Sequence, residues 1–212
     1  MIWSAEQLGE MSGTRSGVLA WGVMVVVCSC CWSAANSAPL ACDQLVRPSD
    51  AVDPRLSSGR WAWVSAGFRE PAQLENFKLR DSASIDVLVS PSGNISYTTK
   101  IHREGKCHSY LHNVTLEGST LTYDEREMAN VTVTFLRTSC ADCLVMRFDT
   151  GGAAMQAYLF SRRRVLTEEE KEEFRAQVEC LNMPAPAWLH PSKELCPEGA
   201  AESTQALEMW SC

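Results

Sequence analysis

The chain has 212 residues, 19 Lys and Arg against 26 Asp and Glu, a formal net charge of -7 and 10 cysteines. Apolar residues make up 45% and charged residues 21%, which excludes an intrinsically disordered or collagenous chain. The acidic balance argues against nucleic acid as a partner, since that requires a basic face. The cysteine count is high for a reducing compartment.

In chain order, the first feature is an uncharged apolar run from Gly17 to Cys31, preceded by Arg15 and followed by Ser33, Ala34, Ala35, Asn36, Ser37 and Ala38. The run is shorter than the roughly 20 residues a membrane span needs, and small residues follow it, so it predicts a signal peptide. Cleavage after Ala35 suits the small-residue rule better than cleavage after Ala38, which Pro39 would follow. An uncleaved membrane anchor is the alternative. Glu6 and Glu10 are foreign to a signal n-region, and a start at Met11 gives a cleaner one. The expected division is a signal peptide at 1–35, a folded domain at 36–198 and a polar tail at 199–212. Three sequons, at Asn94, Asn113 and Asn130, agree with export.

The middle of the chain reads as strand. Runs at Trp61–Phe68, Ile85–Val89, Asn94–His102, His108–Leu116, Leu121–Glu125, Val131–Arg137, Cys143–Asp149 and Met155–Ser161 are short, β-rich and separated by turn residues such as Pro91-Ser92-Gly93 and Thr150-Gly151-Gly152. Eight strands at hairpin spacing, with no helix between them, predict an antiparallel meander, either a sandwich or a closed barrel. A helix follows. Thr167 and Glu170 form a capping box, three glutamates occupy the first turn, and Phe174, Val178 and Leu181 give one apolar face. The remainder, from Asn182, is Pro-rich and then polar, and is expected to be irregular.

Eight meandering strands and one amphipathic helix resemble a lipocalin, a mainly-β, eight-stranded antiparallel up-and-down barrel. Gly59-Arg60-Trp61 matches the family's Gly-x-Trp at the first strand. Phe160-Ser161-Arg162-Arg163-Arg164 matches the place where an arginine lies over that tryptophan at the barrel floor, with Arg162 the best positional match. The alternative for the three arginines is a solvated basic run or a processing site. Within the family, Ser139-Cys140-Ala141-Asp142-Cys143-Leu144-Val145-Met146, Tyr158-Leu159-Phe160, Glu172-Glu173-Phe174 and Cys180-Leu181 are similar to the apolipoprotein M and alpha-1-acid glycoprotein (orosomucoid) branch. The likeness is strongest to its fish plasma members, which include the pufferfish saxitoxin- and tetrodotoxin-binding proteins. It spans roughly Cys42 to Cys196. The family's middle Thr-Asp-Tyr motif is represented only loosely, by Thr138 and Asp142.

Removing residues 1–35 also removes Cys28, Cys30 and Cys31 and leaves seven cysteines, which spacing alone cannot pair. The resemblance implies Cys42 with Cys180 and Cys107 with Cys196, each closing a long loop worth about 4 kcal/mol in chain-entropy terms. It leaves Cys143 as the replacement partner for Cys140, and Cys212 unpaired. Cys140-x-x-Cys143 leads into a strand rather than a helix N-terminus, so it lacks the dipole that activates redox dithiols. No spacing among His102, His108, His112 and His190 suggests a metal, and no cofactor is expected.

Inside a barrel, alternation assigns the wall. Asn113 must face out to be glycosylated, so Tyr110, His112 and Val114 face in. Asn130 likewise turns Val131, Val133 and Phe135 inward. Trp61 is inward by the resemblance and Trp63 with it. Tyr97, Tyr123, Met146, Phe148, Gln156, Tyr158 and Phe160 complete the wall by parity. The candidate ligand-binding residues are therefore Trp63, Tyr97, Tyr110, His112, Val114, Tyr123, Phe135, Met146, Phe148, Gln156, Tyr158 and Phe160, each of which serves equally as ordinary core.

These residues suit a lipophilic or amphipathic ligand. The expectation is a secreted, extracellular, non-enzymatic carrier of a small molecule. The resemblance admits lipoprotein particles or plasma proteins as further partners, and no stable membrane span is expected. The alternatives are an immune-modulating or partner-binding glycoprotein, a binder of cationic toxins or drugs, and an enzyme with a reactive thiol, for which Cys107 would have to be free.

Overall fold

A computed structural model of the protein describes residues 41–123 and 130–198. The expected signal peptide with Cys28, Cys30 and Cys31, the start at Met11, the tail with Cys212, and the last two residues of the fifth expected strand lie outside the described residues.

Two short helices, α1 (Cys42–Leu45) and α2 (Pro54–Ser57), precede the first strand, β1 (Gly59–Phe68). Helix α3 (Pro71–Lys78) follows β1. Then come β2 (Ser82–Val89), β3 (Ile95–Arg103), β4 (Lys106–Glu117), β5 (Thr120–Tyr123), β6 (Val131–Leu136), β7 (Cys143–Thr150) and β8 (Ala153–Ser161). Helix α4 (Glu168–Cys180) and a two-residue strand, β9 (Ala187–Trp188), complete the order. Each strand from β2 to β8 pairs antiparallel with the next, and β1 pairs with both β8 and β2, which closes an eight-stranded barrel.

The side-chain period of two divides the chain into an inner and an outer core. Trp61, Ile85, Tyr97, Val133, Phe148 and Tyr158 belong to the inner cluster. Ala62, Val64, Val145, Ala157 and Leu159 point outward and pack against Phe174, Val178 and Leu181 of α4. That approach is close at Gly67, where an added Cβ would lie 2.7 Å from Val178 Cγ1. Alternation slips once on β1, at a bulge between Trp63 and Ser65. Ser65 therefore faces out and donates to the Ala187 carbonyl.

Helix α4 begins as its capping box requires. Thr167 accepts from the Glu170 amide, and Glu170 accepts from the Thr167 amide. Its far end is tied to α1 by the Cys42–Cys180 disulfide and by Gln177, whose amide donates to the carbonyls of Leu45 and Arg137.

The structure corrects two expectations. The strands are not uninterrupted, because α3 lies between β1 and β2 and buries Leu74 and Phe77 in the inner core. The segment after α4 is not wholly irregular. β2 pairs with β1 only over Gly59–Ala62, and above that level β9 takes the vacated β1 edge at Ser65 and Ala66. The Cys107–Cys196 disulfide holds the end of that segment against β4.

Candidate functional site

The barrel has a closed end, where β1 starts and β8 finishes, and an end occupied by α3. At the closed end Trp61 is buried and its Nε1 donates to the Ser57 carbonyl at 2.7 Å. The Arg162 guanidinium lies 3.7 Å from the Trp61 ring centroid and donates to the carbonyls of Arg60 and Ser58. Gly59 has φ +90° there, and a Cβ on it would come within 3.2 Å of Arg162 Nη1, so both backbone and space favour glycine. The other two arginines also have fixed partners. Arg163 bridges Asp142 and Glu170, which raises its own pKa and holds the Asp142 carboxyl below the ordinary range; the Glu170 carboxyl is lowered first by the Thr167 amide and then by Arg163. Arg164 donates to the carbonyls of His190 and Lys193.

Of the residues read as inward, Trp63, Tyr97, His112, Val114, Tyr123, Phe135, Met146, Phe148, Gln156, Tyr158 and Phe160 are buried, and Tyr110 is half-buried against the same cluster. They form two aromatic groups. Trp63 meets Tyr158 at 4.3 Å, Phe77 at 5.2 Å and Phe160 at 5.3 Å, and Phe148 meets Tyr158 at 4.5 Å. Across the barrel His112 stacks on Tyr97 at 4.9 Å and meets Tyr123 edge-on at 5.8 Å. The hydroxyls of Tyr97 and Tyr123 share a hydrogen bond, and the Tyr158 hydroxyl donates to Gln156 Oε1. Burial pushes the Tyr158 phenol well above its ordinary pKa, so it is a hydrogen-bonding group rather than an anion.

Two small voids lie between these side chains among the described residues. An upper void of about 20 Å³ is lined by Trp63, Tyr97, His112, Met146, Tyr158 and their neighbours. A lower one of about 30 Å³ lies among Val87, Ile95, Leu121, Phe135 and Met146. Each is on the scale of one or two water molecules. A larger depression of about 450 Å³, around Asp50, Arg137, Cys140 and Leu144, is open to solvent and encloses nothing.

Strand alternation missed several residues that shape the interior. Phe77 of α3 is completely buried, 5.7 Å from Phe68 and in contact with Trp63. Arg80, just after that helix, sets its guanidinium 4.8 Å from the Trp63 ring centroid. The signal for both lies outside any strand pattern, in the Phe77-x-x-Arg80 spacing.

Six described cysteines form three disulfides: Cys42–Cys180, Cys107–Cys196 and Cys140–Cys143. Cys107 therefore has no free thiol for nucleophilic chemistry. Among the described residues, Cys140, Asp142 and Cys143 gather three potential metal donors within 4.8 Å, but both sulfurs are already spent on each other. No helix among the described residues is long and apolar enough to cross a membrane.

No protein-family model and no curated protein sequence matches the chain. Solved structures do. The siderocalin Ex-FABP, described as functioning through dual ligand specificities, superposes with a TM-score of 0.52 at 16% identity, over 62% of this chain and 92% of that one. The chain has the lipocalin fold. In the terms of that fold, Trp61 and Arg162 sit at the base of the barrel, and α3 sits in the connection at its mouth.

Proposed function

We propose that this chain is an exported, glycosylated member of the apolipoprotein M and orosomucoid branch of the lipocalins, and that it carries a small hydrophobic or amphipathic molecule in its barrel. The observation that carries this reading is the inner wall. Two aromatic groups are interleaved with a few polar ones (His112, Gln156 and the tyrosine hydroxyls), which is the composition of a small-molecule site. The neighbouring siderocalin is itself described by its ligand specificities. Export is supported by the disulfides and by the exposure of Asn94, Asn113 and Asn130.

The small voids mean that a ligand enters by displacing side chains at the α3 end rather than by filling a vacant calyx. The same observation favours a second reading, a partner-binding glycoprotein whose interior is simply core. Native mass spectrometry of protein purified from secretions, followed by organic extraction, separates the two. A co-purifying small molecule supports the carrier. A protein of unadorned mass that refuses a panel of lipophilic probes supports the alternative. N-terminal sequencing of the same material should begin at Asn36.

A further inference from the structure

Arg80 is a half-buried cation at the mouth of the barrel that has no anion among the described residues. Its guanidinium carbon lies 4.8 Å from the ring centroid of Trp63 and 5.1 Å from that of Phe77. Nη1 is buried and has no acceptor among the described residues. Two aromatic faces offer electrostatic attraction but no acceptor lone pair.

No described neighbour supplies the missing charge. The polar groups acting on the guanidinium are Tyr158 and Tyr110, and the charged one is Arg103, a like charge. The adjacent carboxylate, Asp81, is engaged elsewhere, by Lys193 at 3.6 Å, His102 and the Glu104 amide. A guanidinium stays protonated even when buried, so it does not escape by neutralising. Buried charge is ordinarily paired, and the enclosed nitrogen of this half-buried guanidinium is a donor with room for a partner.

What would complete it is set by place. Trp63, on which Arg80 lies, also lines the upper void, whose aromatic wall carries Thr99, His112 and the tyrosine hydroxyls, and beneath it the lower void is apolar from Val87 to Met146 and Phe135. A compact oxyanion at Arg80 would therefore sit above a largely aromatic and aliphatic interior, into which a hydrophobic chain would enter by displacing side chains. We propose that Arg80 is the head-group site of the barrel and that the ligand is an amphipathic anion, a carboxylate on a long apolar tail. This rests on the carrier reading and narrows it, because a cationic drug or toxin would meet a like charge at the mouth.

The test uses disulfide-intact, delipidated protein titrated with a fluorescent C18 polyene acid (parinaric acid) and with its methyl ester. The tails are identical, and only the acid carries a charge. The native protein should bind the acid about ten-fold or more tightly than the ester. Arg80→Gln should abolish that preference by weakening the acid alone, and Arg80→Lys should keep part of it. Equal affinities for acid and ester in the native protein, or an unchanged ratio in Arg80→Gln, overturn the proposal while leaving a carrier. Failure of both probes, with nothing found by native mass spectrometry, overturns the carrier reading as well. The acid-to-ester ratio of the native protein decides the matter even if the substituted chains do not fold.

Discussion

Two tryptophans, two residues apart on β1, each lie beneath an arginine, yet the pairs are built differently. Over Trp61, Arg162 is 3.7 Å from the ring centroid and its fork is occupied by the carbonyls of Arg60 and Ser58. Over Trp63, Arg80 stands at 4.8 Å with a buried nitrogen that has no acceptor among the described residues. The first arrangement is complete in itself and closes the base. The second lacks an acceptor. The same two residue types thus make a structural rivet at one end and an unfinished contact at the other. The seam between β1 and β2 repeats the contrast. At the base it is zipped by strand pairing and by Asp86, which binds both Arg60 and Lys100 on the outer face. Nearer the mouth it is filled by β9.

The largest expected effect tests how far the mouth depends on its covalent anchor. Replacing both Cys107 and Cys196 with Ala frees the segment that carries β9 and should cost about 4 kcal/mol of unfolding free energy in denaturant titrations. A loss no larger than that of a surface substitution would mean that β9 is held by its own contacts.

The next test sets the two arginines against each other. Arg162→Met should lower stability by about 1–2 kcal/mol, since it strips two carbonyls of their donor and Trp61 of its cation. Arg80→Met should leave the melting temperature unchanged or raise it, because an unpaired buried charge is removed. Equal losses would erase the distinction between the two ends.

The smallest effect concerns acid. Burial alone would raise the Asp86 carboxyl, but hydrogen bonds from Arg60 and Lys100 outweigh it and hold the group below its ordinary value of 3.8. Its contribution is therefore present above that value and fades as pH falls through the depressed one. Asp86→Asn should cost under about 1 kcal/mol at neutral pH. The gap from the native protein should narrow in melts below about pH 4. A gap that widens in acid would contradict this assignment.

The barrel itself was legible because its signals are local. The turn residues and period-two runs mark each strand from β1 to β8, and Thr167 with Glu170 marks the start of α4. Two sequons supplied the parity that turns His112, Val114 and Phe135 inward, where they are buried. Helix α3 escaped for physical reasons. It is eight residues long, Glu70 provides no side-chain cap, and only Leu74 and Phe77 of its face are buried. Strand β9 has two residues, too few to show a period, and its pairing is decided by an edge that β2 leaves open. Arg80 escaped because a wall assigned by strand alternation has no place for a residue that enters from a connection. How little space remains inside was also beyond reach, since volume depends on how the rings pack and not on which rings are present.

The β9 seam also bears on the order in which the molecule can be made. Ser65 and the Ala187 carbonyl it binds are 122 positions apart, so an early strand waits for one of the last described segments to leave the ribosome. Until then the upper edge of β1 is an unpaired strand edge beside an aromatic interior, the kind of surface on which chaperones act. A chain truncated before Ala187 would keep its base and its eight-strand circuit but leave that slit permanently open, making the mouth the last part of this barrel to mature.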